Sequence, residues 1–253
     1  MNMYESFLTN SQRPIQKWLH YFPVYERYFE RFQNRSIVMY EIGVFQGGSL
    51  QFWKKYFGPF ATIVGIDINP NCKSMEETQV HVRIGDQSDH KFLQEVFDEF
   101  GPPDIVLDDG SHQQDHINAT LEFFYTRMKP ESVYLIEDVH TAYFPSYGGG
   151  LLQENTIIER CKGLVDFLNG YYCDLPTEFA DSTFSIAFYD SIIVLEKKQW
   201  PKGLRVAPLV ANGTQSEIDA EFLVYKEKLL VQEQMKMQEQ LKQEEDFNLE
   251  EHK

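Results

Sequence analysis

The chain has little positive charge for its size. Its 253 residues contain 23 Lys and Arg against 39 Asp and Glu, which gives a formal net charge of −16. A phosphate backbone or an anionic lipid surface requires a basic face, so this composition argues against a nucleic-acid or membrane partner. An acidic protein is better suited to bind a cation and a neutral or cationic ligand.

Paired cysteines and long hydrophobic runs are also lacking. The three cysteines, Cys72, Cys161 and Cys173, are odd in number, widely spaced and form no CxxC motif, so neither a disulfide framework nor a zinc cluster is indicated. No stretch of 18 apolar residues occurs, and the N-terminus has no basic region followed by an apolar one. We therefore expect a soluble, cytoplasmic protein with reduced thiols.

The middle of the chain alternates strand and helix signals. Short β-branched or aromatic runs predict strands at residues 37–42, 61–67, 80–84, 104–108 and 132–136. Apolar residues at three-to-four spacing predict helices at residues 49–56, 89–100 and 115–128, with Asp89 and Asp115 as N-cap signals. Strand and helix in alternation indicate parallel pairing.

The last two strand signals differ in kind, because residues 184–189 and 192–195 are separated only by Asp190-Ser191, as in a hairpin. The predicted fold is an α/β, Rossmann-like, seven-stranded and mostly parallel sheet. It ends in a C-terminal antiparallel hairpin and carries helices on both faces.

The two ends of the chain differ from this predicted α/β domain, which spans residues 37–200. Residues 1–36 are rich in aromatics and predict a helical segment that acts as a lid over the ligand crevice or as a contact between copies in a homo-oligomer. Residues 201–253 are predicted to form an acidic helical tail. From Ser216 onward this tail has eleven acids against five lysines.

Carboxylates follow two of the predicted buried strands. Residues 104–108 run into Asp109 and, after two more residues, His112, and the next strand runs into Glu137 and Asp138. If the two strands are neighbours, their tips lie roughly 5 Å apart. Three converging carboxylates repel one another unless a cation or a proton holds them together. The pattern therefore predicts a metal site beside a base, and its oxygen ligands favour Mg²⁺, Mn²⁺ or Ca²⁺ over zinc.

Simpler interpretations stay open for single residues in this pattern. Asp109 with the following Gly and Ser is also a common turn sequence, and an acid after the next strand can cap a helix. Asp108 points to the opposite side of its strand from Asp109, where it would meet the ammonium of a cofactor or orient the turn. Both alternatives for Asp108 remain.

The first strand-to-helix turn carries an acid and several glycines. Glu41 lies two residues before Gly43, and this spacing suits a cationic amino-acid moiety better than the pyrophosphate that GxGxxG binds. Asp67 ends the second strand and can bind ribose hydroxyls, which NAD and S-adenosylmethionine share. Asp86 follows the third strand and can accept the adenine amino group. The candidate cofactor-binding residues are Glu41, Gly43, Gln46, Gly47, Ser49, Asp67, Asp86, Gln87 and Asp108.

These turns together carry a family resemblance. The motifs are Gln46-Gly47-Gly48-Ser49, Gly85-Asp86-Gln87-Ser88, Asp108-Asp109-Gly110-Ser111-His112 and Ile136-Glu137-Asp138. In this order they resemble the class I S-adenosylmethionine-dependent methyltransferases. More narrowly, they are similar to the magnesium-dependent macrolide sugar O-methyltransferases of the mycinamicin type and to the related cephalosporin-hydroxylase-type proteins. The resemblance covers residues 37–149.

The resemblance implies a ligand set and a reaction. It assigns Asp109, Glu137 and Asp138 to Mg²⁺ and His112 to the role of general base. S-adenosylmethionine is then the methyl donor, and the acceptor is the hydroxyl of a small molecule, a sugar or polyhydroxylated natural product. Two other functions stay open from the residues alone: a nicotinamide-dependent oxidoreductase, and a noncatalytic cofactor-binding or scaffold subunit.

Overall fold

The computed structural model describes residues 3–173, 175, 177–198 and 231. The predicted acidic tail over residues 201–253 lies outside the described residues, except for Val231. None of the described helices is both long and apolar enough to cross a bilayer.

Seven strands form one sheet in the described part of the chain. They are β1 (Val38–Ile42), β2 (Thr62–Asp67), β3 (Val80–Ile84), β4 (Ile105–Asp108), β5 (Val133–Ile136), β6 (Thr183–Tyr189) and β7 (Ile192–Lys197). Their order across the sheet is β3-β2-β1-β4-β5-β7-β6, and β7 runs antiparallel to both β5 and β6. The predicted sheet and its C-terminal hairpin are confirmed. The strand order reverses between β1 and β4, which is where open α/β sheets bind ligands.

The helices cover both faces of this sheet. The α-helices are α1 (Met3–Leu8), α2 (Phe22–Phe29), α3 (Gly48–Phe57), α4 (His90–Phe100), α5 (Gln114–Tyr125), α6 (Ile157–Leu168) and α7 (Glu178–Ser182). Short 3-10 helices occupy Leu19–Tyr21, Glu30–Phe32, Pro70–Met75, Val139–Tyr143, Pro145–Tyr147 and Gly170–Tyr172.

Alternate residues of the strands belong to two separate hydrophobic cores, one on each face of the sheet. Met39 of β1 is buried with α2 and α3 on one face, whereas its neighbour Tyr40 is buried with α4, α5 and α6 on the other. Because both faces are covered, the parallel strands are apolar on both sides and only their ends reach solvent.

Of the two N-caps predicted from the sequence, one is confirmed and the other is wrong. Asp89 caps α4, since its side chain accepts hydrogen bonds from the backbone of Lys91 and Phe92, as predicted. The prediction that Asp115 caps α5 is wrong. Gln113 is the N-cap, and Asp115 lies in the first turn, because the chain enters the helix directly after the left-handed turn at His112.

The N-terminal residues pack on the face formed by α3. Tyr25 and Phe29 of α2 contact Trp53 of α3 edge-on, with ring centroids 5.4 and 5.6 Å apart. Between α1 and the 3-10 helix that begins at Leu19, residues 10–18 have no regular secondary structure. We call them the 10–18 segment.

Candidate active site

A cavity of about 830 Å³ lies at the carboxyl ends of the parallel strands. Every parallel strand contributes its last residue or the residues directly after it. The 10–18 segment lines the cavity through residues 14–18. The predicted site residues that line the cavity are Gly43, Gln46, Ser49, Asp67, Asp86, Gln87, Asp109, His112, Glu137 and Asp138. The predicted residues Glu41, Gly47 and Asp108 do not line it.

The two acidic strand ends are neighbours, as the sequence analysis required. Asp108 of β4 pairs with Ile136 of β5, and the backbone amide of Glu137 donates to the carbonyl of Asp108 over 2.9 Å. Parallel strands in this register place the residues that follow them side by side. Asp109 and Glu137 therefore begin adjacent turns.

Asp109, His112 and Asp138 converge on one point. The His112 Nε2 atom lies 3.7 Å from Asp138 Oδ2 and 3.9 Å from Asp109 Oδ1. One potential ligand atom from each of the three residues lies within 4.8 Å of the other two. Carboxylate oxygens at this spacing fit a divalent cation.

The backbone at this point adopts an uncommon conformation. His112 and Asp138 have φ angles of 59° and 52°, in the left-handed region that side chains rarely occupy. Such conformations cost free energy and cluster at functional sites. Gly110 supports the same turn, because a Cβ atom there would clash with the amide oxygen of Gln87.

A lysine that the sequence analysis missed lies inside the acidic cluster. The Nζ atom of Lys17 is 2.5 Å from Asp109 Oδ2 and 2.9 Å from each carboxylate oxygen of Glu137. The lysine side chain is only 5% exposed. The separations of 92 and 120 residues leave no local pattern that would have indicated these pairs.

Two tyrosines from the N-terminal residues hold the same carboxylates. The hydroxyl of Tyr21 donates to Asp138 Oδ1 over 2.5 Å, and that of Tyr25 donates to Glu137 Oε1 over 2.6 Å. Burial, followed by the charge of Glu137, raises the pKa of Tyr25 well above its usual value, so Tyr25 stays protonated and acts as a donor. The predicted aromatic N-terminal segment thus reaches the site directly.

Glu137 and Lys17 form a buried ion pair. Burial and repulsion from Asp109 raise the pKa of Glu137, while the Lys17 ammonium opposes that rise. Burial alone would lower the pKa of Lys17, but attraction to Asp109, Glu137 and Glu41 outweighs burial and leaves the pKa raised. Lys17 therefore carries a full positive charge among the acids.

The first strand-to-helix turn is shaped by contacts within the protein. Gly43 has a φ angle of +93°, and a Cβ atom there would clash with the carbonyl oxygen of Asp109. Glu41 is fully buried and accepts hydrogen bonds from Ser49 Oγ at 2.9 Å and Trp53 Nε1 at 3.0 Å. Burial raises the pKa of Glu41 to about 7. Glu41 therefore links β1 to α3 through these hydrogen bonds, outside the cavity lining.

Asp67 and Asp86 both face the cavity. The Oδ2 atom of Asp67 accepts hydrogen bonds from the backbone amides of Val44 and Phe45, at 2.8 and 3.0 Å. Asp86 accepts from the amide and hydroxyl of Ser88, and these bonds lower its pKa. Both carboxylates lie at the ends of successive strands, and their binding to ribose and adenine groups stays a prediction.

Asp108 lies beneath the cavity. Its carboxylate accepts hydrogen bonds from Gln87 Nε2 and the Tyr134 hydroxyl, both at 3.2 Å, and burial raises its pKa to about 7. The amide oxygen of Gln87 accepts from the backbone of Ser111 over 2.8 Å. Of the two alternatives for Asp108, these contacts match the one in which it orients the turn, and Gln87 shares that task.

The sequence matches several characterised enzymes over part of their length. No protein-family model matches it. It is 38% identical over 172 residues to the mycinamicin VI 2''-O-methyltransferase of Micromonospora griseorubida, covering 64% of this chain and 42% of that protein. It is 34% identical over 197 residues to the 8-demethyl-8-alpha-L-rhamnosyl tetracenomycin-C 2'-O-methyltransferase of Streptomyces olivaceus, covering 72% of this chain and 52% of that one.

The fold matches a solved relative of the same kind. The MycE methyltransferase of the mycinamycin biosynthetic pathway, solved with Mg, S-adenosylhomocysteine and mycinamycin VI, superposes with a TM-score of 0.69 and 29% sequence identity. The match covers 80% of this chain and 56% of MycE. The chain thus spans about half the length of the relatives it matches. Within that half it has the Rossmann-like methyltransferase fold and resembles the macrolide and sugar O-methyltransferases, which confirms the resemblance drawn from the motifs.

Proposed function

We propose that this protein is a divalent-metal-dependent O-methyltransferase that uses S-adenosylmethionine and methylates a hydroxyl of a sugar or polyhydroxylated natural product. The observation that carries the proposal is the convergence of Asp109, His112 and Asp138 at the edge of the cavity, with His112 Nε2 at 3.7 and 3.9 Å from the two carboxylates. The relatives named above act on macrolide or sugar acceptors, which supports this substrate class.

Asp109, Glu137 and Asp138 are the proposed metal ligands. All three line the cavity, and their oxygens suit Mg²⁺ or Mn²⁺. A bound divalent cation would supply Lewis acidity that lowers the pKa of an acceptor hydroxyl, and S-adenosylmethionine would supply the methyl group. Tyr21 fixes the orientation of Asp138 through its 2.5 Å hydrogen bond.

His112 is the proposed general base. An alcohol is a weak nucleophile unless a neighbouring group takes its proton, and histidine is the side chain most often used for this step. The Nε2 atom of His112 faces the cavity edge beside the carboxylates, and the left-handed backbone at residue 112 turns the ring toward them.

The proposed cofactor side of the cavity is formed by the ends of β1, β2 and β3. Gly43, Gln46 and Ser49 would hold the amino-acid end, Asp67 the ribose hydroxyls and Asp86 the adenine amino group. Residues 14–18 also line the cavity.

Methyl transfer from labelled S-adenosylmethionine tests this function. The full chain is incubated with glycosylated macrolides and rhamnosylated aromatic polyketides, with Mg²⁺ or with EDTA. We expect label in an acceptor hydroxyl only with Mg²⁺. Acceptor-dependent oxidation of NADH would instead indicate an oxidoreductase, and absence of product with every acceptor, together with tight cofactor binding, would favour a noncatalytic subunit.

A further inference from the structure

We propose that the Lys17 ammonium is an exchangeable counter-ion of the acidic cluster: a divalent cation displaces it from Asp109 and Glu137, and the 10–18 segment then leaves its position against the strand ends. This inference rests on the proposed metal site. It adds that metal binding is coupled to movement of the 10–18 segment, which lines part of the cavity.

The geometry of the carboxylates makes Lys17 and a metal ion compete for the same oxygens. Both oxygens of Glu137 lie 2.9 Å from Lys17 Nζ, and Tyr25 also donates to one of them. A metal ion that bridges both oxygens of Glu137 would therefore occupy the position of the Lys17 ammonium. Asp109 differs, because Lys17 contacts its Oδ2 atom whereas its Oδ1 atom faces His112.

The charges point to the same exchange. Lys17 brings one positive charge to two carboxylates, and the Lys17 side chain is 5% exposed while that of Glu137 is 2% exposed. At so buried a site, a dication bonded to Asp109 would repel the ammonium strongly. Without the dication, removal of Lys17 would leave the two acids unpaired. A divalent cation would thus take over the charge compensation that Lys17 provides.

Lys17 is also the residue through which the 10–18 segment bonds to the ends of β4 and β5. Earlier in the segment, Arg13 anchors it by donating to the carbonyl of Met75 over 2.9 Å. Trp18, the last residue of the segment, is 58% exposed. Release of Lys17 would therefore free the end of the segment next to the carboxylates while the Arg13 contact holds the other end.

Titration of Mn²⁺ by calorimetry, with neither cofactor nor acceptor present, tests the exchange. The full chain is compared with Lys17→Met and with the control Lys54→Met, because Lys54 forms a partly buried 3.0 Å ion pair with Glu77 outside the cavity lining. We expect Lys17→Met to bind Mn²⁺ at least tenfold more tightly than the wild type and Lys54→Met to match the wild type. Equal or weaker binding by a folded Lys17→Met would overturn the exchange, as would the absence of binding in both.

Hydrogen exchange of the unmodified protein gives a second readout, should Lys17→Met not fold. Saturating Mn²⁺ is expected to speed amide exchange in peptides covering residues 10–18 and to leave α4 unchanged. Unchanged or slower exchange in those peptides would overturn the proposal. Neither experiment involves methyl transfer. A failed methyltransferase assay with tighter Mn²⁺ binding by Lys17→Met would therefore contradict the proposed function and not the exchange.

Discussion

The Nε2 atom of His112 lies 3.7 Å from Oδ2 of Asp138, and the two residues come from the ends of neighbouring strands. Both have left-handed backbone conformations, with φ angles of 59° and 52°. The two backbone turns hold an imidazole and a carboxylate close together at the edge of the cavity, which is the arrangement that the proposed proton transfer requires.

Replacement of His112 by alanine is expected to slow methyl transfer by about 10²–10⁴-fold, because the acceptor hydroxyl loses its base. Affinity for S-adenosylhomocysteine should stay unchanged, which calorimetry can measure. His90→Ala is the control. His90 is the first residue of α4, and its ring forms a hydrogen bond with the carbonyl of Ala119. Full turnover by His112→Ala would remove this residue from the mechanism.

Asp138→Asn should weaken Mn²⁺ binding at least about tenfold, because the site loses a charged ligand while the shape is kept. The Tyr21 hydroxyl can still donate to the remaining oxygen. Asp190→Asn serves as the control, since Asp190 is 90% exposed in the nearby hairpin turn. Equal Mn²⁺ affinities for the two variants would show that Asp138 is not a ligand.

Glu41→Gln should change how stability depends on pH. Burial raises the folded-state pKa of Glu41 from 4.5 to about 7, so between these values the folded protein holds a proton that the unfolded chain releases. The contribution of Glu41 to stability is present at low pH and declines as the pH rises to 7. Gln cannot ionise, so the variant should not lose this stability. Above pH 7 its free energy of unfolding, measured in urea, should exceed that of the wild type by on the order of 1–3 kcal/mol.

A matched control for this pH effect is Glu77→Gln, because the pKa of Glu77 is lowered by its bonds to Gln51 and Lys54. Its contribution is present above the unfolded-state pKa and is lost as the pH falls through the folded-state value. Glu77→Gln should therefore be less stable than the wild type at neutral pH, with a difference that shrinks on acidification. Parallel pH profiles for the two variants would contradict the assignment for Glu41.

Gly43→Ala should destabilise the protein by more than about 2 kcal/mol, because the left-handed φ of +93° disfavours a side chain and the new Cβ would clash with Asp109. It should also weaken Mn²⁺ binding, since Asp109 has to shift. The control is Gly163→Ala in α6, where no atom lies within 4 Å of the added Cβ. That variant should gain about 0.5–1 kcal/mol from helix propensity. Equal unfolding midpoints for Gly43→Ala and Gly163→Ala would contradict the close approach of Gly43 to the Asp109 carbonyl.

The strands could be predicted because a parallel sheet covered on both faces needs apolar residues on both sides. Residues 104–108 and 132–136 predicted β4 and β5 to within one residue, and alternation of the strand and helix signals predicted their parallel pairing. Adjacent strands then bring Asp109 beside Glu137, which follows from geometry alone.

The position of Glu41 could not be read from the turn motif. Asp67 is the last residue of β2 and its carboxylate reaches the cavity, whereas Glu41 is one residue short of the end of β1. Side chains alternate along a strand, so this single residue sends Glu41 to the face covered by α3, where Ser49 and Trp53 bind it.

Lys17 and the two tyrosines lay beyond prediction for a different reason. Lys17 lies in the 10–18 segment, which has no periodic pattern and no regular structure, whereas Tyr21 and Tyr25 lie in helices. The contacts of all three with the strand ends are set by tertiary packing of the N-terminal residues. Sequence spacing carries no signal for such pairs. The role of the acidic tail and the proposed homo-oligomer stay predictions.

Anomalous X-ray scattering from crystals of the full chain grown with Mn²⁺ and S-adenosylhomocysteine tests the proposed metal site. We expect one Mn²⁺ peak bonded to Asp109, Glu137 and Asp138, with Lys17 Nζ withdrawn from Glu137 and His112 facing the open side of the ion. A Mn²⁺ peak elsewhere, or Lys17 still bridging Asp109 and Glu137 with no peak at this edge, would contradict it.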